Sequence, residues 1–131
     1  MKVADKSMER VKALPAANAS AVTTSVDLGA AEVGPVGANL DVIIEVEATT
    51  TLVDTYAITL TLEDSADNSS FAAVVGGPAY TVTGGAGNGS AAASFRGYLP
   101  PNTRRYLRAK AAIPTSGGSS IAKNFTLKFK V

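Results

Sequence analysis

Two stretches of the chain alternate strictly between apolar and polar side chains, the pattern of a β-strand that is buried on one face. Residues 104–113 place leucine, alanine and isoleucine on one face, and the other face carries Arg104, Tyr106, Arg108 and Lys110. Residues 40–48 alternate in the same way, and the face that carries the charges holds Asp41, Ile43, Glu45 and Glu47. Opposite charges that face each other across an antiparallel pair contribute about 0.2–1 kcal/mol each, so we expect these two strands to pair.

Six further stretches have the length and composition of short strands. They cover residues 22–28, 56–63, 71–75, 79–83, 91–98 and 121–131. Eight strands without a convincing internal helix predict an all-β fold, an eight-stranded antiparallel β-sandwich. The charge pattern favours jelly-roll topology, in which the first strand pairs with the eighth, the second with the seventh, the third with the sixth and the fourth with the fifth. An immunoglobulin-like sandwich is the alternative, although the Cys and Trp typical of its core are absent.

The first 19 residues do not share this pattern. Asp5 can cap a short helix that has Met8, Val11 and Leu14 on one side and ends at Pro15. A helix of roughly ten residues is marginal on its own, so this segment is either a frayed terminus or an arm that becomes ordered on a partner. The predicted organisation is an N-terminal arm, residues 1–19, followed by one β-sandwich domain, residues 20–131.

Charge is segregated along the chain although the net charge is only +1. Residues 13–67 contain nine acidic side chains and no basic one, whereas residues 68–131 contain eight basic side chains and no acidic one. Two interpretations remain open. In the first, strands from the acidic half pair with strands from the basic half inside one sheet. In the second, an acidic face and a basic face stay exposed and dock neighbouring copies or another protein.

Composition argues against catalysis and against a cofactor. The chain contains no Cys and no His, which removes the best nucleophile, the usual general base and the commonest zinc ligands. Glu63, Asp64, Asp67 and Asn68 form a carboxylate cluster, but its spacing does not match a calcium-binding loop. Residues 84–89 are glycine-rich, yet no Lys-Ser or Lys-Thr follows, so a phosphate-binding loop is not expected. We therefore expect no enzyme activity, no metal site and no cofactor.

The same reasoning limits the possible partners. Near-neutral charge and only four Tyr and four Phe argue against a nucleic-acid-binding surface. No stretch approaches the roughly 20 apolar residues of a membrane span, and the N-terminus lacks the apolar run of a signal peptide. We expect a protein that is made in the cytoplasm and contacts neither membrane nor nucleic acid.

Three stretches resemble the small cement or decoration proteins of tailed-bacteriophage capsids. They are residues 25–31 (SVDLGAA), residues 62–71 (LEDSADNSSF) and residues 99–108 (LPPNTRRYLR). The resemblance implies a jelly-roll protein that binds the major capsid protein on the outer surface of an expanded, HK97-like shell. It also implies a homo-oligomer, a dimer or a trimer, that cements adjacent capsomers and belongs to the virion.

Two groups of candidate site residues follow from this hypothesis. The arm would clamp a neighbouring subunit through Lys2, Lys6, Met8, Arg10, Val11, Lys12 and Leu14. The second group would form charge pairs within the sheet or at an interface, with Asp41, Glu45 and Glu47 facing Arg104, Arg108 and Lys110. The alternative for this stretch is that Arg104, Arg105 and Arg108, beside Tyr98 and Tyr106, bind a phosphate or a carboxylate. The alternative function is a carbohydrate-binding or host-adhesion module that uses Tyr80, Tyr98 and Tyr106 as its aromatic platform.

Overall fold

The computed structural model describes residues 8–32 and 40–130, and these residues form two antiparallel β-sheets and no α-helix. Sheet A has the strand order β1-β10-β4-β8, formed by β1 (Arg10–Ala13), β10 (Asn124–Lys130), β4 (Asp41–Val46) and β8 (Ala93–Tyr98). Sheet B is centred on β9 (Arg104–Ile113) and β5 (Ala57–Ser65). No helix in the described part of the chain is long and apolar enough to cross a membrane.

Two short strands, one after the other, pair with the outer side of β9, and two more pair in the same way with the outer side of β5. β2 (Ala19–Val22) and β3 (Val26–Glu32) both pair with β9, and β6 (Ala72–Ala73) and β7 (Ala79–Thr83) both pair with β5. The break between β2 and β3 falls at Thr23, whose backbone N–H still donates to the Ala109 carbonyl at 2.9 Å. The all-β prediction is confirmed, and the ten strands form a two-sheet β-sandwich.

The predicted pairing of residues 40–48 with residues 104–113 is wrong. These stretches are β4 and β9, and they lie in different sheets, β4 between β10 and β8 and β9 beside β5. The prediction paired residues 22–28 with residues 121–131. In the structure, that place beside β10 belongs to β1, a strand that the sequence pattern did not predict, so every later pairing differs from the expected one. The observed nesting is β1 with β10, β2 and β3 with β9, β4 with β8, and β5 with β6 and β7.

The core lies between the two sheets and is built from the apolar face that each alternating strand presents. Its largest side chains belong to β10, where Phe125 and Phe129 are completely buried. The central strand of sheet B instead contributes Ala109 and Ala111, which are also completely buried. Combining large and small side chains in this way fills the space between sheets without strain. Leu52 closes one end of the core from a loop and has no exposed surface.

The predicted helix before Pro15 is also wrong, because residues 10–13 are β1 and pair with residues 124–127 of β10. Leu14 follows β1 directly; it is 1% exposed and its N–H donates to the Lys123 carbonyl at 2.8 Å. The described part of the predicted arm therefore packs on the sandwich, through the pairing of β1 with β10 and through Met8 and Leu14. Lys2 and Lys6 lie outside the described residues.

The glycine-rich stretch 84–89 packs closely against the loop that carries Leu52. Gly89 N–H donates to the Leu52 carbonyl at 2.7 Å, and Gly84 N–H donates to the Tyr56 carbonyl at 2.8 Å. A Cβ added at Gly84 would lie 2.3 Å from the Val53 carbonyl oxygen, closer than any side chain can approach. These glycines therefore permit backbone-to-backbone contact.

Candidate partner-binding surfaces

Five acidic side chains from the first half of the chain pair with basic side chains from the second half. The pairs are Asp27–Arg105, Asp41–Arg96, Glu45–Lys128, Glu63–Arg108 and Asp64–Arg104. Each pair lies within one sheet. The acidic half and the basic half of the sequence therefore meet inside the sandwich through these ion pairs. The acidic residues that we expected to face β9 instead have other partners, because they lie in sheet A.

On the outer face of sheet A, two ion pairs flank an isoleucine. Ile43 is in register with Lys128 on one side and Arg96 on the other, and it is only 6% exposed. Lys128 Nζ donates to Glu45 Oε1 at 3.0 Å, and this bond raises the pKa of the lysine. Arg96 donates to the buried carboxylate of Asp41. The basic side chains thus cover Ile43 and leave little apolar surface on this face.

Glu47 has a backbone partner. Its Oε1 accepts a 2.7 Å hydrogen bond from Asn124 N–H, and its own N–H donates to the Asn124 carbonyl. Glu47 therefore extends the pairing of β4 with β10 by one residue.

On sheet B, the three basic residues of β9 that we expected to pair with β4 instead pair with acidic residues of β5. Arg104 donates to Asp64, and Arg108 donates to Glu63 Oε1 at 2.9 Å. Lys110 Nζ lies 4.0 Å from Glu63 Oε2. All three basic side chains therefore pair with β5, the strand that neighbours β9.

The connection between β5 and β6, residues 66–71, crosses back over the outer face of sheet B. Asp67 Oδ1 accepts from Ser69 N–H and Ser70 N–H at 2.9 and 3.0 Å, and these bonds contribute to lowering the pKa of Asp67 to about 2. At the far side of β9, Ser25 donates a hydroxyl hydrogen bond to Asn68 Oδ1. These hydrogen bonds fix the loop at Asp67 and at Asn68.

This loop and the sheet beneath it enclose an open cleft of about 390 Å³, which we call the Arg108 cleft. It is lined by Thr23, Thr24, Ser25, Asn68, Phe71 and Arg108. The Phe71 ring stacks on the Arg108 guanidinium, with 3.9 Å between the ring centroid and Cζ. Sequence reasoning placed Arg108 in a charge pair and missed the cleft, because its lining comes from three separate stretches of the chain.

A family model named Bbp16 matches residues 12–128 of the chain. The chain belongs to the Bbp16 family. The match begins in β1 and ends in β10, so it spans all ten strands. This extent agrees with the place of β1 in sheet A and gives no support to a separate arm that ends at residue 19.

No curated protein matches the chain. Among solved structures, the infectious bursal disease virus Gx strain contains a chain that is similar, at 14% identity with a TM-score of 0.41. The alignment covers 100% of the Bbp16 chain and 30% of the viral chain. A similarity this low carries no argument about fold or function.

The N-terminal candidate residues of the Bbp16 chain differ in their accessibility. Leu14 is buried, and Met8 packs partly against the core. The guanidinium of Arg10 donates to the carbonyls of Ser25 and Glu9. Val11 is 57% exposed and Lys12 is also exposed. Of the described candidates, Val11 and Lys12 are therefore the most accessible to a partner.

The three tyrosines proposed as a glycan platform do not lie together. Tyr80 stacks on Phe95 with ring centroids 4.8 Å apart, and burial raises its pKa. Tyr98 is 56% exposed in sheet A, whereas Tyr106 belongs to sheet B, with Arg105 over its ring at 5.3 Å. The arrangement does not provide one continuous aromatic surface. No group of three acidic side chains in the described ranges is placed to hold a metal ion.

Proposed function

We propose that this Bbp16-family protein is a structural virion protein. It binds the major capsid protein on the outer surface of an HK97-like phage capsid as a homo-oligomer, and it cements adjacent capsomers. The nested strand pairing is that of a jelly roll in this proposal. The protein carries no catalytic activity, and its partners are the capsid and further copies of itself.

One observation carries the proposal: the three stretches that resemble cement proteins meet in the structure. Residues 25–31 contact residues 62–71 through the hydrogen bond between Ser25 and Asn68. They contact residues 99–108 through the ion pair between Asp27 and Arg105. The second and third stretches are joined by the ion pair between Asp64 and Arg104. The resemblance therefore falls on one contiguous structural unit, at the end of sheet B where β5 ends and β9 begins, which supports a common architecture.

The physical logic of such a protein is mass action. A ligand that binds only the expanded shell stabilises that shell by RT ln(1 + [L]/Kd) at each site. Many sites on one shell multiply the effect against the pressure of packaged DNA. A sandwich that already pairs five acidic side chains internally suits this role, because little conformational entropy is lost when such side chains are held before binding.

Co-sedimentation tests the proposal. Expanded capsids that lack this protein, prepared from the phage or prophage that encodes it, are mixed with increasing amounts of the purified chain. We expect saturable binding at a fixed number of copies per capsomer, and weaker binding to unexpanded shells. Absence of binding by a chain that circular dichroism shows to be folded would contradict the proposal.

A further inference from the structure

The Arg108 cleft has an unusual balance of hydrogen-bonding groups. Asn68 Oδ1 accepts from Ser25, and Glu63, which does not line the cleft, accepts from Arg108. Several donors of the lining have no acceptor. Arg108 Nε donates to Glu63 Oε1, Nη2 forms an ion pair with the same oxygen at 2.8 Å, and Nη1 makes no hydrogen bond with any described residue. The amide nitrogen of Asn68 likewise has no acceptor among the residues that the structure describes.

A threonine adds a further donor deep in the cleft. Thr23 is 3% exposed, and its Oγ1 accepts a 3.1 Å hydrogen bond from Ala109 N–H. That bond uses the oxygen as an acceptor and leaves the hydroxyl proton available. Thr24, beside it, is exposed and also carries a hydroxyl group. The lining of the cleft therefore offers four donor groups, which are Arg108 Nη1, the Asn68 amide and the hydroxyls of Thr23 and Thr24.

Arg108 is the charged member of the cleft lining, and the carboxylate of Asp67, in the same loop, is held by Ser65, Ser69 and Ser70. Arg108 and Lys110 are basic, and Glu63 between them is the acidic partner of both. Phe71 covers one face of the guanidinium and limits the access of water to it. Hydrogen bonds from a charged guanidinium to a carboxylate are among the stronger ones in proteins, and they gain from a lower local dielectric. A single negative charge with two acceptor oxygens matches this environment.

We propose that the Arg108 cleft binds a carboxylate group, presented by an acidic side chain of a protein partner. Arg108 Nη1 and the Asn68 amide donate to the carboxylate oxygens, with the hydroxyls of Thr23 and Thr24 as further donors. The cleft is open, and sheet B also presents small exposed side chains at Thr59, Ala79 and Thr81. The inference does not depend on which protein carries the carboxylate.

Nuclear magnetic resonance on the full, ¹⁵N-labelled chain tests this proposal. The probe is the blocked tripeptide acetyl-Gly-Glu-Gly-amide, and its matched control is the same peptide with Gln in place of Glu. We expect the Glu peptide to shift the signals of Ser25, Asn68 and the Arg108 side chain in a saturable manner. The Gln peptide should bind about tenfold more weakly, because a charged hydrogen-bond acceptor is lost.

Two variants link the signal to the cleft. Arg108→Lys keeps the positive charge beside Glu63 but removes Nη1. Thr24→Val removes an exposed hydroxyl with almost no change in the shape of the side chain. Both variants should bind the Glu peptide more weakly than the parent chain. Arg105→Lys is the matched control, because both the Nε and Nη2 atoms of Arg105 are held by Asp27, away from the cleft lining. It should bind like the parent chain.

Three results would overturn the inference. The first is the absence of a saturable shift with the Glu peptide. The second is equal binding of the Glu and Gln peptides. The third is acetate binding as tightly as the Glu peptide, which would assign the cleft to small free carboxylates and remove the protein partner. None of these results bears on capsid co-sedimentation, so failure here and failure of the proposed function are distinguishable.

Discussion

Arg104 donates four hydrogen bonds to Asp64, two from its side chain to Oδ1, one from its backbone N–H to Oδ2 and one from its side chain to the Asp64 carbonyl. Asp64 is 4% exposed. It lies near the end of β5, and Arg104 is the first residue of β9. The two residues therefore hold the end of one strand to the beginning of its neighbour.

Asp64→Asn should lower the free energy of unfolding by about 3 kcal/mol, because removing one partner of a buried ion pair leaves the other charge uncompensated. The Asn amide group would also place donor hydrogens against the donors of Arg104. Urea unfolding followed by circular dichroism measures the change. Asp54→Asn is the control: Asp54 is exposed and forms no ion pair with the described residues, so this change should stay within about 0.5 kcal/mol. Equal effects of the two substitutions would contradict the role given to Asp64.

Leu14→Ala tests the place of β1 in the sandwich. Because Leu14 is completely enclosed by the core, we expect a loss of about 2–5 kcal/mol in the free energy of unfolding. Val11→Ala, three residues earlier on the exposed side of β1, should change it by less than about 0.5 kcal/mol. For the same reason, a chain that begins at Ala21 should be strongly destabilised, since it lacks β1 and Leu14. If that chain unfolded at the same urea concentration as the full chain, β1 would be a dispensable arm.

Gly118→Ala and Gly87→Ala separate backbone strain from steric overlap. Both glycines have positive φ, +86° and +81°, so alanine at either position should cost about 1–2 kcal/mol. A Cβ at Gly118 would in addition lie 2.1 Å from the Thr51 carbonyl oxygen, whereas nothing lies within 4 Å of one at Gly87. Thermal unfolding should therefore show a much larger loss for Gly118→Ala. Equal losses would mean that the loop around Thr51 moves aside freely.

Stability should fall in acid partly through Asp67. Its pKa in the folded chain is lowered from 3.8 to about 2 by the hydrogen bonds that its carboxylate accepts, chiefly from Ser70, Ser65 and Ser69. A lowered pKa stabilises the fold above 3.8, and the contribution is lost as the pH falls from 3.8 through 2. Asp67→Asn cannot titrate, so its melting temperature should decline less steeply over this range than that of the parent chain. Parallel melting curves at every pH would show that Asp67 contributes nothing.

The two stretches with strict alternation were predicted well as strands. The stretch 104–113 coincides with β9 and the stretch 40–48 contains β4, because alternating burial in the sandwich imposes the same period on the sequence. β1 was not predicted, because it lacks alternating burial. It is a four-residue edge strand that is paired through its backbone, and three of its four residues are exposed. Its short, mostly exposed pattern carries no periodic signal.

The partners of the charged residues could not be predicted from charge alone. Each cross-strand pair contributes only about 0.2–1 kcal/mol, too little to decide whether Arg108 meets Glu45 or Glu63. That choice follows from which strands are neighbours, and the unpredicted strand β1 displaced the expected order. The Arg108 cleft was beyond prediction too, because Thr23, Asn68 and Arg108 come together only after the 66–71 loop has crossed the sheet.

The central claim is that the protein cements the outer surface of a phage shell. Cryo-electron microscopy of expanded capsids, with and without the added chain, tests it most directly. The account predicts added density on the outer surface, fitted by this two-sheet sandwich and spanning the boundary between adjacent capsomers. Shells without added density at saturating protein, or density confined to the interior of the shell, would contradict it.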